Sequence, residues 1–348
     1  MAEVQLLGMT HYPPFNGKDE AMANLHRVML ADPAVPTDVK DPLNWPAAQR
    51  AEWATDGGTG AAGQHRAALI EGFDRVRAEI DAFAPDFVLI WGDDQHENFR
   101  RDLIPPFAVL AYEDLKVEPW HQARQPNFWD EPADTYRVVR GHPEAGRFLA
   151  TALLEAGVDV AYAYEPLHHQ GFAHAFLNTV LFLDHRRRGF DLPVLCMPVN
   201  CYGRKVIAAG GAFKPFGTAM QLDPPSPPPW RLMDVGAAAV RALRASPWRV
   251  SVVASSSWSH AFLVDHNWRM RPDTAADRGL YDALVAGDWA RWAAITTAEI
   301  EAAGQQEVLN WFVLAGAARE LGAVPTWSRF VETWCFNSNK VFAVWEPQ

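Results

Sequence analysis

Short apolar runs alternate along this chain with longer segments whose apolar positions recur at helical spacing. Seven runs read as buried strands: residues 4–9, 87–91, 107–112, 158–164, 192–199, 250–255 and 340–345. Helical periodicity marks residues 64–83, 143–156, 173–185, 232–245, 277–302 and 305–321. Strands that alternate with helices predict an α/β fold: a central, mostly buried mixed sheet flanked by helices. In such folds the chemistry gathers at strand ends and in the loops that follow them. Two stretches break the alternation, a Pro/Trp/Gly-rich excursion over 31–63 and a Pro-rich segment over 214–230. Their aromatic residues argue for ordered loops on one domain spanning 1–348, since exposed rings are costly in water.

Several of the strands run into polar residues. The first ends in LLGMTHYPPF, where Pro13 and Pro14 stop the ladder and leave His11 projecting. The second ends in WGDDQHENF and carries His96. If the two strand ends share one sheet edge, these imidazoles could share a metal; a hydrated polar loop over residues 93–98 is the plainer alternative. A carboxylate in the wrong place sharpens the choice. In GQQEVLNWFVLAGAARELG, helical spacing sets Glu307 among Trp311, Leu314, Ala318 and Leu321. An unpaired buried charge costs several kcal/mol, so Glu307 requires protonation, an ion pair or a metal. Arg319 lies on another face of the helix. A fourth strand end, VSVVASSSWSHAF, presents His260, an imidazole suited to taking and returning a proton. A serine nucleophile in the same stretch lacks GxSxG spacing.

Composition narrows the partners. A net charge of −11 and the absence of a long basic run exclude a nucleic-acid surface. No apolar run approaches the roughly 20 residues of a membrane-spanning helix, and the N-terminus lacks signal-peptide zones, so a cytoplasmic protein is expected. The three cysteines have no CxxC spacing and read as buried thiols. The fifteen tryptophans read as core and interface.

Taken in order, MTHYP, DDQHENF, EPLHHQGFAHAF, SSWSH and QQEVLNW resemble the class III extradiol ring-cleavage dioxygenases of the LigB type, which include the protocatechuate 4,5-dioxygenase catalytic subunit. The resemblance covers essentially the whole chain and implies a LigB-like single domain. It implies that His11, His96 and Glu307 bind non-haem Fe(II) as a 2-His-1-carboxylate set, and that His260 is the acid/base. His169 or His168 would hydrogen-bond the substrate. Tyr12, Asn200 and Tyr202 are candidate substrate-pocket residues from their strand-end positions. His26, His65, His121, His142, His174, His185 and His266 are read as structural or surface residues.

Three departures stand out: Ser256 and Ser257 replace a family glycine pair, Gln95 separates Asp94 from His96, and the family's D-H-G becomes H-H-Q-G. The implied function is Fe(II)-dependent opening of a catechol-type aromatic by O2, in aromatic catabolism. The alternatives are a zinc-type hydrolase or lyase on the same site and a non-enzymatic binding module similar to the Memo proteins. A homodimer is the default assembly.

Overall fold

The computed structural model describes residues 2–348 apart from 122–125, 169 and 170. Ten strands form in chain order: β1 (Val4–Met9), β2 (Phe87–Asp93), β3 (Ala108–Leu110), β4 (Leu115–Val117), β5 (Arg137–Val139), β6 (Ala161–Ala163), β7 (Val194–Val199), β8 (Val250–Ser255), β9 (Trp327–Val331) and β10 (Lys340–Val344). Eight make a mixed sheet ordered β6-β3-β7-β2-β8-β1-β10-β9, and β4 and β5 pair separately. The expected α/β architecture with a buried mixed sheet is what forms.

Both faces of the sheet are covered, which explains why its strands are apolar throughout rather than alternating. In β2, Phe87, Leu89 and Trp91 join one core with helices Pro143–Glu155, Pro229–Ala245 and Leu309–Leu321. Val88 and Ile90 face the other core, against helices Thr59–Phe83 and His174–Leu183. The first layer is tight. A side chain at Gly236 would overlap the Val313 carbonyl, and one at Gly316 would overlap the Met233 carbonyl, so only glycine lets helices Pro229–Ala245 and Leu309–Leu321 come this close.

The four central strands β7, β2, β8 and β1 are mutually parallel. Their C-terminal ends therefore lie along one edge, with Met9 opposite Ser255 and Asp93 opposite Val199. That alignment delivers His11, Asp93, Tyr202 and His260 to the same side of the sheet.

Some expected boundaries shift for local reasons. The continuous helix expected over 277–302 divides into Thr274–Ala286, Trp289–Ala294 and Thr297–Ala302. Gly287 takes a left-handed φ of 66°, Asp288 caps the second piece, and Thr296 with Glu299 forms a capping box for the third. Strand β9 was not anticipated: its residues are only half-buried and carry Arg329, so no continuous apolar run betrays it. The excursion over 31–63 is ordered and partly helical, with helix Ala47–Trp53 inside it. Among the described residues, no helix is long and apolar enough to cross a membrane. The three cysteines are buried and unpaired.

His26 anchors the N-terminal excursion. Its Nδ1 lies 3.0 Å from the Met270 carbonyl, and its ring packs edge-on against Trp45 and Trp53. Burial lowers its pKa to about 4. The neutral ring is favoured in the fold, so this stabilisation is present above pH 6.5 and is lost as pH falls towards 4; its full size is about 3 kcal/mol. Urea unfolding at pH 7 and pH 5 will show a loss of stability at pH 5 that is smaller in His26→Gln than in the parent protein.

Candidate metal centre

The cradle begins at the end of β1. The His11 ring is oriented by its Nδ1, 2.9 Å from the Ser255 carbonyl at the end of β8. A ring N–H donating to that carbonyl leaves the Nε2 lone pair facing inward. Asn178 holds the loop from below, donating to the His11 carbonyl at 3.1 Å. Asp93, the last residue of β2, is fully buried, and its Oδ1 stands 3.6 Å from His11 Nε2. Asn310 donates to that same Oδ1 at 3.3 Å.

The second imidazole comes from His174, the first residue of helix His174–Leu183. Glu97 does two jobs for it. One carboxylate oxygen accepts from the His174 backbone N–H at 3.0 Å, placing negative charge at the helix N-terminus, and the other lies 2.9 Å from ring Nδ1. One donor atom each from His11, Asp93 and His174 lies within 4.8 Å of the other two.

Glu307 flanks this group on the other side of His11, with Oε2 3.5 Å from His11 Nε2. It sits in the single 3-10 turn Gln306–Val308 that leads into helix Leu309–Leu321 and is only 3 % exposed. Its other oxygen is 3.2 Å from His260 Nε2 and accepts from the Tyr202 hydroxyl. The Ser257 backbone N–H adds a bond at 3.2 Å to Oε2. Of the two serines, Ser257 thus reaches the site through its backbone amide, whereas Ser256 N–H donates to the Met9 carbonyl.

The electrostatics of the cradle are lopsided. Burial lowers the His11 pKa to about 4, against the pull of Glu307. Burial also drives Asp93 well above the usual carboxylate range, with Glu307 adding repulsion. For Glu307 burial acts the same way but is outweighed by His260 and His11, which hold it ionised, near 2. For His174 burial is outweighed by Glu97, which raises it to about 10. Two carboxylates therefore face each other with too little positive charge between them for both to ionise. His11 Nε2 and Asp93 Oδ2 are buried without a hydrogen-bond partner. These two orphaned atoms, set beside His174 and Glu307, suit a divalent cation.

The predicted site residues divide. His11, Glu307, His260 and Tyr202 come together as described. His96 does not join the metal-capable group: Asp94 accepts from the backbone N–H groups of Glu97, Asn98 and Phe99 and turns the chain, and His96 stands in that turn with φ 63°, beside Gly211. His174, expected to be structural or a surface residue, is the imidazole grouped with His11 and Asp93. Tyr12 points into the core, with its hydroxyl bonded to the Phe336 carbonyl and Lys340 Nζ 3.5 Å from its ring centroid. Asn200 lines clefts beside the proline-rich segment instead of the cradle. His168 pairs with exposed Asp102 at 2.8 Å. His169 lies outside the described residues.

The family model described as the catalytic LigB subunit of aromatic ring-opening dioxygenase matches residues 54–342. The chain belongs to the LigB family. His11 precedes the matched range, whereas Asp93, His174, His260 and Glu307 all fall inside it. Among curated relatives, a 2,3-dihydroxyphenylpropionate/2,3-dihydroxicinnamic acid 1,2-dioxygenase 2 of Pseudomonas putida is 30% identical over 127 residues, 36% of this chain and 34% of the relative. The corresponding 1,2-dioxygenase of a Rhodococcus species is 29% identical over 103 residues, 30% of this chain and 29% of the relative. The chain thus aligns with about a third of the length of the curated relatives it matches.

The placement of His174 rather than His96 in this LigB-family cradle is directly testable. Saturating Mn(II) or anaerobic Fe(II) should raise the unfolding free energy by about 3 kcal/mol at a hundredfold excess over Kd. Thermal unfolding should retain that gain in His96→Ala and lose most of it in His174→Ala.

Proposed function

We propose that this protein is an Fe(II)-dependent extradiol dioxygenase that opens a catechol-type aromatic ring with O2. The observation that carries the reading is the convergence of buried His11, Asp93 and Glu307 with half-buried His174, and of His260 with Glu307, in a chain of the LigB family. His11, Asp93 and His174 would hold the ion, with Glu307 close enough to join them. An Fe(II) ion held by these residues would supply the redox chemistry that couples an electron-rich ring to dioxygen.

The remaining roles belong to the chain. The Ser255 carbonyl fixes the His11 tautomer so that its Nε2 lone pair faces inward, and Glu97 orients the His174 ring, whose proton a bound cation would displace. His260, 3.2 Å from Glu307, is the base that takes the proton of a substrate hydroxyl at Nε2 and returns it later as acid. Glu307, held ionised, stabilises the imidazolium formed in that step. Tyr202, whose phenol donates to Glu307, keeps the carboxylate turned towards His260. Buried Trp258 and Trp311 pack edge to face, with ring centroids 5.5 Å apart. The names of the relatives favour a catechol bearing a carboxylated side chain as the substrate.

The test is oxygen uptake after anaerobic Fe(II) loading, with a panel of catechols followed for ring-opened, yellow products. Uptake with Fe(II) and none with Zn(II) is expected; hydrolytic activity with Zn(II) and no oxygen uptake would instead identify a hydrolase. His260→Ala should keep its stoichiometric iron and lose about 10²–10⁴-fold in kcat, the range of general acid–base contributions.

A further inference from the structure

A cavity of about 530 Å³ opens beside the cradle. That is ample for a ligand larger than one ring. Cys201, Tyr202, Gln306 and Phe262 line its inner wall. Each is next to the centre: Tyr202 bonds to Glu307, Gln306 precedes Glu307, and the Phe262 ring lies 5.5 Å from that of His260. The remainder of the lining has the opposite charge to the protein as a whole. Arg204, Lys205, Lys214 and Arg269 face only Asp265 and Glu301, an excess of two positive charges in a chain of net charge −11.

The pairing leaves that excess unspent. Asp265 is shared between Lys205 at 2.7 Å and Arg269 at 2.9 Å, and Glu301 takes Arg204 at 3.0 Å. Among the described residues none forms an ion pair with Lys214, which is exposed at the cavity. The Arg269 guanidinium lies 5.4 Å and 4.2 Å from the ring centroids of Phe213 and Phe216, so cationic and aromatic surface are contiguous. Arg204 holds a φ of 26°, a strained backbone that a non-glycine residue adopts mainly where function requires it.

We propose that this cavity binds the far end of an elongated aromatic substrate that carries a carboxylate, with Lys214 and Arg269 on the anion and Phe213, Phe216 and Phe262 against its apolar stem. The proposal rests on the ring-opening reading only for the fate of the near end. Anion binding can be measured without turnover.

Calorimetric titration of the full-length protein with biphenyl-4-carboxylate, biphenyl-4-carboxamide and benzoate tests it, because none carries the adjacent hydroxyls of a catechol. The biphenyl acid should bind at least about tenfold more tightly than its amide and than benzoate, the scale of a hydrogen bond to a charged group. Added salt should shrink that advantage, and Lys214→Glu or Arg269→Met should abolish most of it. Lys214 is exposed, so its variant keeps the test valid if loss of Arg269 unfolds the loop. Equal affinity of acid and amide, or an acid preference that survives both substitutions, would overturn the proposal. Failure of every catechol to react would overturn the ring-opening reading and leave this binding result standing.

Discussion

The structure depends on how much like charge can be buried at one point. Asp93 and Glu307 approach the same His11 nitrogen from two sides, at 3.6 and 3.5 Å, inside a region almost closed to water. Repulsion and desolvation at such a point cost several kcal/mol unless something positive is supplied. The protein supplies part of it through His174, which is itself held by Glu97, while His260 lies against Glu307. The orphaned lone pairs of His11 and Asp93 mark where the compensation stops. A divalent cation held there would complete the balance.

The scaffold exists to hold that arrangement still. Four parallel strands end together, so short loops bring their side chains to the centre: Asp93 ends β2, His11 lies two residues beyond β1, Tyr202 three beyond β7 and His260 five beyond β8. The supporting contacts are mostly backbone: the Ser255 carbonyl on His11, the Ser257 amide on Glu307, and the His174 amide on Glu97. Asp277 extends this frame, accepting from Ser259 N–H at 3.0 Å, Gln305 at 2.7 Å and Asn339 at 2.9 Å. It thereby ties the loop of His260 to the turn of Glu307. Donors set by strand ends and backbone amides lose little entropy on binding, which is how a site becomes preorganised.

Against this tightly packed centre, the neighbouring cavity is roomy, cationic and lined by rings. Tyr202 stands between the two, with its ring in the cavity wall and its hydroxyl on Glu307.

Read alone, the sequence determined the α/β architecture and five of its strands nearly to the residue, because unbroken apolar runs have only one place to go in a doubly covered sheet. It also determined that Glu307 needs a partner, since a carboxylate among Trp311 and Leu314 is anomalous at any tertiary position. Only the tertiary structure decided which imidazole stands opposite His11. His96 stands in the turn that Asp94 holds and His174 begins a helix, so their difference lies in where the chain bends, geometry that spacing does not encode. The AHAF start of an apolar helix was the signal available for His174; its force comes from Glu97, seventy-seven positions earlier in the chain. Tyr12 shows the same limit, because whether a strand-end ring faces the pocket or the core depends on Lys340, brought beside it by the antiparallel pairing of β1 and β10.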